Sequence, residues 1–142
     1  RDRIMAIYDP TAALWRASVF GVRVVPPAKF VTQAAAGPTT MSVGDITGAM
    51  QVFYQTTNAA PGTVTTRTAT QLFADDPDAY IGKTWIVTAN NTGAGTLTLA
   101  GGTGVTITGT ATVAQNVTRT FSCVFNSATT ATMQVVSVGS VS

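Results

Sequence analysis

The sequence predicts a mainly β protein, an antiparallel β-sandwich or barrel-like domain preceded by an extended N-terminal arm. Three observations lead there. First, apolar residues alternate with threonine. In TLTLA (96–100), Leu97 and Leu99 fall on one side and Thr96 and Thr98 on the other. Side chains of a strand alternate between faces, so one dry and one wet face produce this rhythm. Second, short runs of this kind are separated by Gly, Asn and Pro clusters, the spacing of turns in an all-β domain. Third, charge is scarce: 10% of residues are charged, against roughly 25% in ordinary soluble domains, while 45% are hydrophobic.

The arm is assigned to residues 1–40 and the β-rich domain to 41–142. At the start, TAALWRASVF (11–20) predicts a short helix after Pro10. SVFGVRVV (18–25) predicts a strand overlapping it, with Phe20, Val22 and Val24 on one face. Pro26-Pro27 ends either element. AKFVTQ resumes an extended chain, and AAAGPTT (34–40) reads as a linker.

In the domain, GAMQVFYQTT (48–57) predicts a strand, NAAPG (58–62) a turn, and TVTTRT a second extended segment. Leu72 and Phe73 follow Thr70, an expected cap, in one helical turn that Asp75-Asp76-Pro77 stops. From Lys83 onward come KTWIVTA, TLTLA, GVTIT, TATVA, VTRTFSCVFN and ATMQVVSVG, all predicted strands, with GVTIT and TATVA either separate or continuous through Gly109. Turns are expected at NNTGAG (90–95), at Gln115-Asn116 and at SATT (127–130). Val105 and Ile107 alternate with Thr106 and Thr108, and Phe121, Cys123 and Phe125 oppose Thr118 and Thr120. That parity puts Arg119 on the apolar side. It must therefore sit at a strand end or bulge, or bury its stem and reach out.

The chemistry on offer is sparse. The chain has no His and no Glu, and its acids are Asp2, Asp9, Asp45, Asp75, Asp76 and Asp78. General acid–base work usually needs His or a positioned carboxylate pair, so no catalytic residue, cofactor or metal site is expected. ADDPDAY (74–80) reads as a solvated turn, because one local aspartate trio without an EF-hand pattern supplies too few ligands for calcium. GAG (93–95) and GGTG (101–104) read as hairpin turns and not as phosphate loops, since neither ends in Gly-Lys-Ser/Thr or opens a helix. The single Cys123 reads as a small buried hydrophobe. The Thr-x-Thr triplets, starting at 96, 106, 108, 110 and 118, step too unevenly for a regular ice-matching ladder. The basic residues are too few and too diluted for nucleic acid, and no apolar run approaches the length of a membrane span.

Residues 64–133 contain an ordered succession of motifs: TATQ (68–71), DDP (75–77), GKT (82–84), NNTG (90–93), TLT (96–98), GTGVT (102–106), GTAT (109–112) and TRTF (118–121). This succession resembles β-rich modules in structural proteins of tailed bacteriophages, found in capsid decoration (cement) proteins, head fibres and tail-fibre parts. The resemblance implies a virion structural protein on the capsid surface, commonly a homo-trimer. Its partner would be the major capsid protein, with no small-molecule substrate and no nucleic acid or membrane. In a cement protein, Trp15, Arg16, Phe20, Arg23, Lys29 and Phe30 are the expected contacts with shell or neighbouring subunit, aromatic residues and Arg being the types that carry interface energy; the equal alternative is that they complete the domain's own core. The alternative is a fibre or adhesin domain that binds a host glycan or surface protein. Its expected contacts are Asp75, Asp78 and Tyr80; Trp85, inside a predicted strand, reads as core.

Overall fold

The computed structural model describes residues 6–9, 14–17, 22–23, 27–33 and 38–140. Strands β1 (Ala6–Asp9), β2 (Leu14–Ala17) and β3 (Val22–Arg23) pair antiparallel as a sheet of their own, with Tyr8 opposite Trp15 and Arg16 opposite Arg23. The helix expected over 11–20 is thus replaced by a strand at Leu14–Ala17. A helix of about ten residues is marginal on its own, whereas β1 offers this segment a ladder of backbone partners. The strand expected over 18–25 is described only at Val22–Arg23.

The remaining strands build two sheets. One has six strands, in the order β10 (Val105–Thr108), β13 (Ala131–Ser140), β12 (Val117–Phe125), β8 (Thr84–Asn91), β6 (Gln51–Thr56) and β4 (Ala28–Gln33). The other has four, in the order β11 (Thr112–Val113), β9 (Leu97–Ala100), β7 (Gly62–Thr65) and β5 (Thr39–Thr40). From β4 to β12, successive strands fall alternately in the first sheet and the second. Strands laid down on successive passes therefore run the same way: β4, β6 and β8 are parallel in one sheet, and β5, β7 and β9 in the other. The end of the chain reverses direction, so β12 is antiparallel to β8 and β13, and β11 to β9, while β10 runs parallel to β13.

The mainly β class holds, and the pairing within it is mixed where the sequence suggested antiparallel strands. Residues 28–33 and 39–40, expected in the arm, are hydrogen bonded into the two sheets. The glycine segments at 93–95 and 101–104 do not close hairpins; each carries the chain from one sheet to the other. Close backbone contact is what requires glycine there. A Cβ on Gly95 would stand 2.0 Å from the carbonyl carbon of Ala60, and one on Gly102 would stand 2.5 Å from the carbonyl oxygen of Thr66. The Gln115-Asn116 turn is as expected, with Asn116 in the left-handed region at φ 59°.

The core lies between the sheets. Val52, Tyr54, Trp85, Val87, Phe121, Cys123, Phe125 and Met133 face it from the six-stranded sheet, and Val64, Leu97, Leu99 and Val113 from the other. Thr98, Thr106, Thr108 and Thr112 take the outward positions, as the alternation required. Asn91, fully buried, joins the sheets: its Nδ2 donates to the carbonyls of Gly95 (2.8 Å) and Val113 (2.9 Å).

The helix α1 (Ala69–Asp75) begins two residues earlier than expected, because Thr68 and not Thr70 is its cap. Thr68 Oγ1 accepts from the Gln71 backbone N–H, and the Gln71 side chain accepts from that of Thr68, a reciprocal capping box. The helix stops before Pro77, whose ring disfavours a helical conformation at Asp76; Asp76 is extended, with ψ 113°. Leu72 anchors the helix in the core, and Phe73 meets Phe125 edge-on at 5.1 Å.

Candidate interaction surfaces

The outer face of the six-stranded sheet is its most unusual surface. The register aligns Phe30, Phe53, Thr88 and Thr120 in one row across four strands, with Ala28, Gln51, Ile86, Ser122 and Gln134 in the next. None of the residues facing outward from these strands is charged. The charged residues of the six strands are Lys29 and Arg119, and both occupy inward positions, opposite Val52 and Ala89. This inverts the usual arrangement, in which charge sits on the wet face and is absent from the dry one.

Backbone carbonyls accept from both cations. The Lys29 ammonium donates to the carbonyls of Gly44 and Thr47, in the 41–50 segment that packs against the sheet. Burial lowers the pKa of this ammonium, and the nearby carboxylates of Asp45 and Asp76 oppose the shift. Arg119 Nε donates to the Thr112 carbonyl at 2.6 Å. Beside it the β12–β13 register slips: Thr120 faces Ser137 and Phe121 faces Val135, leaving Val136 as the extra residue of a bulge. Arg119 thus combines two of the outcomes that parity demanded, a bulge at its side and a head group that reaches out of the core.

The expected capsid contacts fare unequally. Trp15 and Arg16 lie in β2 and Arg23 in β3, while Phe20 falls outside the described residues. Lys29 is turned inward and held by carbonyls, so it is an internal anchor and not an open contact. Its neighbour Phe30 is 64% exposed, and Phe53 beside it is 38% exposed.

The aspartate turn is built differently from the solvated loop that the sequence suggested. Asp75 accepts from Arg67 Nε at 2.6 Å. Asp76 is buried; its Oδ2 accepts from Lys83 Nζ at 2.7 Å and its Oδ1 from the Asp78 backbone N–H at 3.0 Å. Two of the three carboxylates therefore hold the turn, Asp75 to the residue before the helix cap and Asp76 to Lys83 just ahead of β8, whereas Asp78 Oδ2 is buried without a partner among the described residues. A charge buried here needs the partner that Lys83 supplies, and the sequence signal was only the spacing of Asp76 and Lys83 around Pro77. Of the expected glycan contacts, Asp75 is engaged by Arg67 and Tyr80 is exposed beside exposed Ile81. Trp85 belongs to the core: its Nε1 donates to the Ile46 carbonyl at 2.7 Å, and its ring lies 4.6 Å from that of Phe125.

Two further groups are locked away from chemistry. Cys123 is buried, and burial pushes its thiol well above the ordinary value, so it stays protonated. Burial likewise raises the phenol of Tyr54, helped by the negative charge of Asp45, and the hydroxyl has no hydrogen-bond partner among the described residues. No group of three or more His, Cys, Asp or Glu residues able to hold a metal ion occurs among the described residues. Comparison with protein-family models, curated proteins and solved structures found no match for the chain.

Proposed function

We propose that this protein is a structural component of a tailed-bacteriophage virion, a capsid decoration (cement) protein that binds across seams between major capsid proteins. The observation that carries this reading is the broad outer face of the six-stranded sheet, from which charge is absent. Exposed sheet faces in solution usually carry Lys, Glu and Asp, which keep proteins apart. A face of Thr, Gln and Phe instead suits burial against another protein, because no charge has to be stripped of water. The ordered motifs over residues 64–133 support the same reading. A cement protein performs no reaction; it stabilises the shell by burying surface, and a chain without His or Glu fits that task.

Mass spectrometry of gradient-purified particles, with antibody labelling of intact virions, tests the proposal. Detection of the chain on the outside of the head supports it. Absence from the particle, or labelling confined to the tail, overturns it. The fibre or adhesin reading draws on one observation, the adjacent exposed Tyr80 (62%) and Ile81 (65%). It predicts that Tyr80→Ala weakens attachment to host cells without lowering thermal stability, and equal attachment removes that site.

A further inference from the structure

Strand β4 is the outermost strand of the six-stranded sheet, bonded to β6 on one side only among the described residues. Natural proteins protect such edges with charged side chains, prolines, bulges or a charge pointed into the dry face, because a free strand edge is a template for another strand. β4 has only the last of these, Lys29, and that charge is already bonded inside its own subunit, so a pairing strand would not have to strip it. Its sequence AKFVTQ contains no proline, its register with β6 is unbroken, and its single lysine is turned inward to the Gly44 and Thr47 carbonyls.

The direction of the free groups follows from the bonds already made. The Gln51 N–H donates to the Pro27 carbonyl, and the Thr57 N–H donates to the Gln33 carbonyl. The N–H and C=O of one strand residue point to the same side, and the side alternates along the chain. Residues 27, 29, 31 and 33 therefore address β6, and Ala28, Phe30 and Thr32 address the open edge.

We infer that β4 pairs, antiparallel and centred on Phe30, with β4 of a second copy of this chain. Two features select a copy of the same chain. A two-fold axis through Phe30 places Phe30 opposite its own counterpart and Ala28 opposite Thr32, so every outward N–H and C=O of the three residues finds a partner. The same register keeps the outer faces of both sheets on one side. Phe53, Phe30 and their two counterparts then form one row of four aromatic rings across the seam, and such cross-strand pairs are favourable. No like charges meet, since Lys29 is bonded within its own subunit. A two-fold contact of this kind is isologous and closes on itself. It is also small: a six-residue edge buries well under the roughly 800 Å² per partner of a standard interface. The dimer is therefore weak and concentration dependent. This pairing does not rest on the virion proposal.

Sedimentation velocity on the full chain, over a concentration series from low micromolar to near millimolar, tests the inference. Expected is a rise of the weight-average mass from one chain mass toward two. Thr32→Pro removes an outward N–H and no intramolecular bond, so this variant should hold the circular dichroism and melting temperature of the parent and stay at one chain mass throughout. Phe30→Lys, which restores an edge charge, should do the same. A parent chain that stays monomeric throughout the series, as it would if its own N-terminal segment covered β4, overturns the inference. So does an oligomer, dimeric or trimeric, that persists in both variants.

Discussion

On the inner face of the six-stranded sheet, Val52, Val87, Phe121 and Cys123 are fully buried, and Lys29 and Arg119 are tied to backbone carbonyls. On the outer face, one residue along the same strands, stand Phe53, Thr88, Thr120 and Ser122, and no charge at all. The first face is fixed by this chain's own packing. The second is half-exposed, with Thr88 and Thr120 hydroxyls only 3.3 Å apart across the strands. Two faces of one sheet thus differ in kind: the inner face holds the fold together, and the outer face is the one our proposal assigns to contact.

Substitutions should separate the two. The largest losses should come from the inner side. Phe121→Ala opens a cavity at a fully buried aromatic and should cost about 3–5 kcal/mol in urea denaturation. Asp76→Ala strands the Lys83 ammonium beside the core, and losses of about 3–5 kcal/mol are typical when a buried pair is broken. Either result near zero would break the contrast. Arg119→Met, which loses one charged donor at the half-buried rim, should cost only about 1 kcal/mol.

Tyr54→Phe sharpens the comparison in the opposite direction. It deletes a buried hydroxyl without a partner among the described residues, so stability should stay level or rise by up to about 1 kcal/mol. It should also change the alkaline limb of the stability curve. The folded phenol keeps its proton above the ordinary pKa of 10.0, whereas the unfolded one loses it there. The parent therefore loses stability as pH rises past 10, and Tyr54→Phe should flatten that loss. Cys123 acts in the same sense from about its ordinary value of 9.0. Lys29 acts oppositely: its lowered folded pKa means stability is gained up to the ordinary 10.5. Smallest of all on the fold is Thr88→Glu on the outer face, expected to move stability by less than about 0.5 kcal/mol. Its effect should appear in assembly, as lost binding to particles.

The alternation that defines the two faces was legible in the sequence, because threonine and the aliphatic residues keep strict parity in 96–99 and 105–108, and Phe121, Cys123 and Phe125 share one parity opposite Thr118 and Thr120. Arg119 was legible too, as a parity violation that required a bulge or an outward reach. Which strand joins which sheet was not legible. Gly93–Gly95 and Gly101–Gly104 have the composition of hairpin turns, yet they carry the chain between sheets, and only contact with Ala60 and Thr66 distinguishes the two uses. Lys29 read as an exposed contact because a charged residue near aromatics usually is one. The carbonyls that hold it lie 15 and 18 residues away in a segment without regular periodicity. Asp76 likewise read as part of a solvated turn, its buried partner Lys83 being hidden by the proline between them.

The most direct test of the contact face is hydroxyl-radical footprinting of the full chain, free in solution and bound in purified particles. The proposal predicts that Phe30 and Phe53 are oxidised readily in the free chain and protected in the particle, while Tyr80 reacts equally in both. Equal oxidation of Phe30 and Phe53 in the two states, or protection confined to Tyr80, would contradict it.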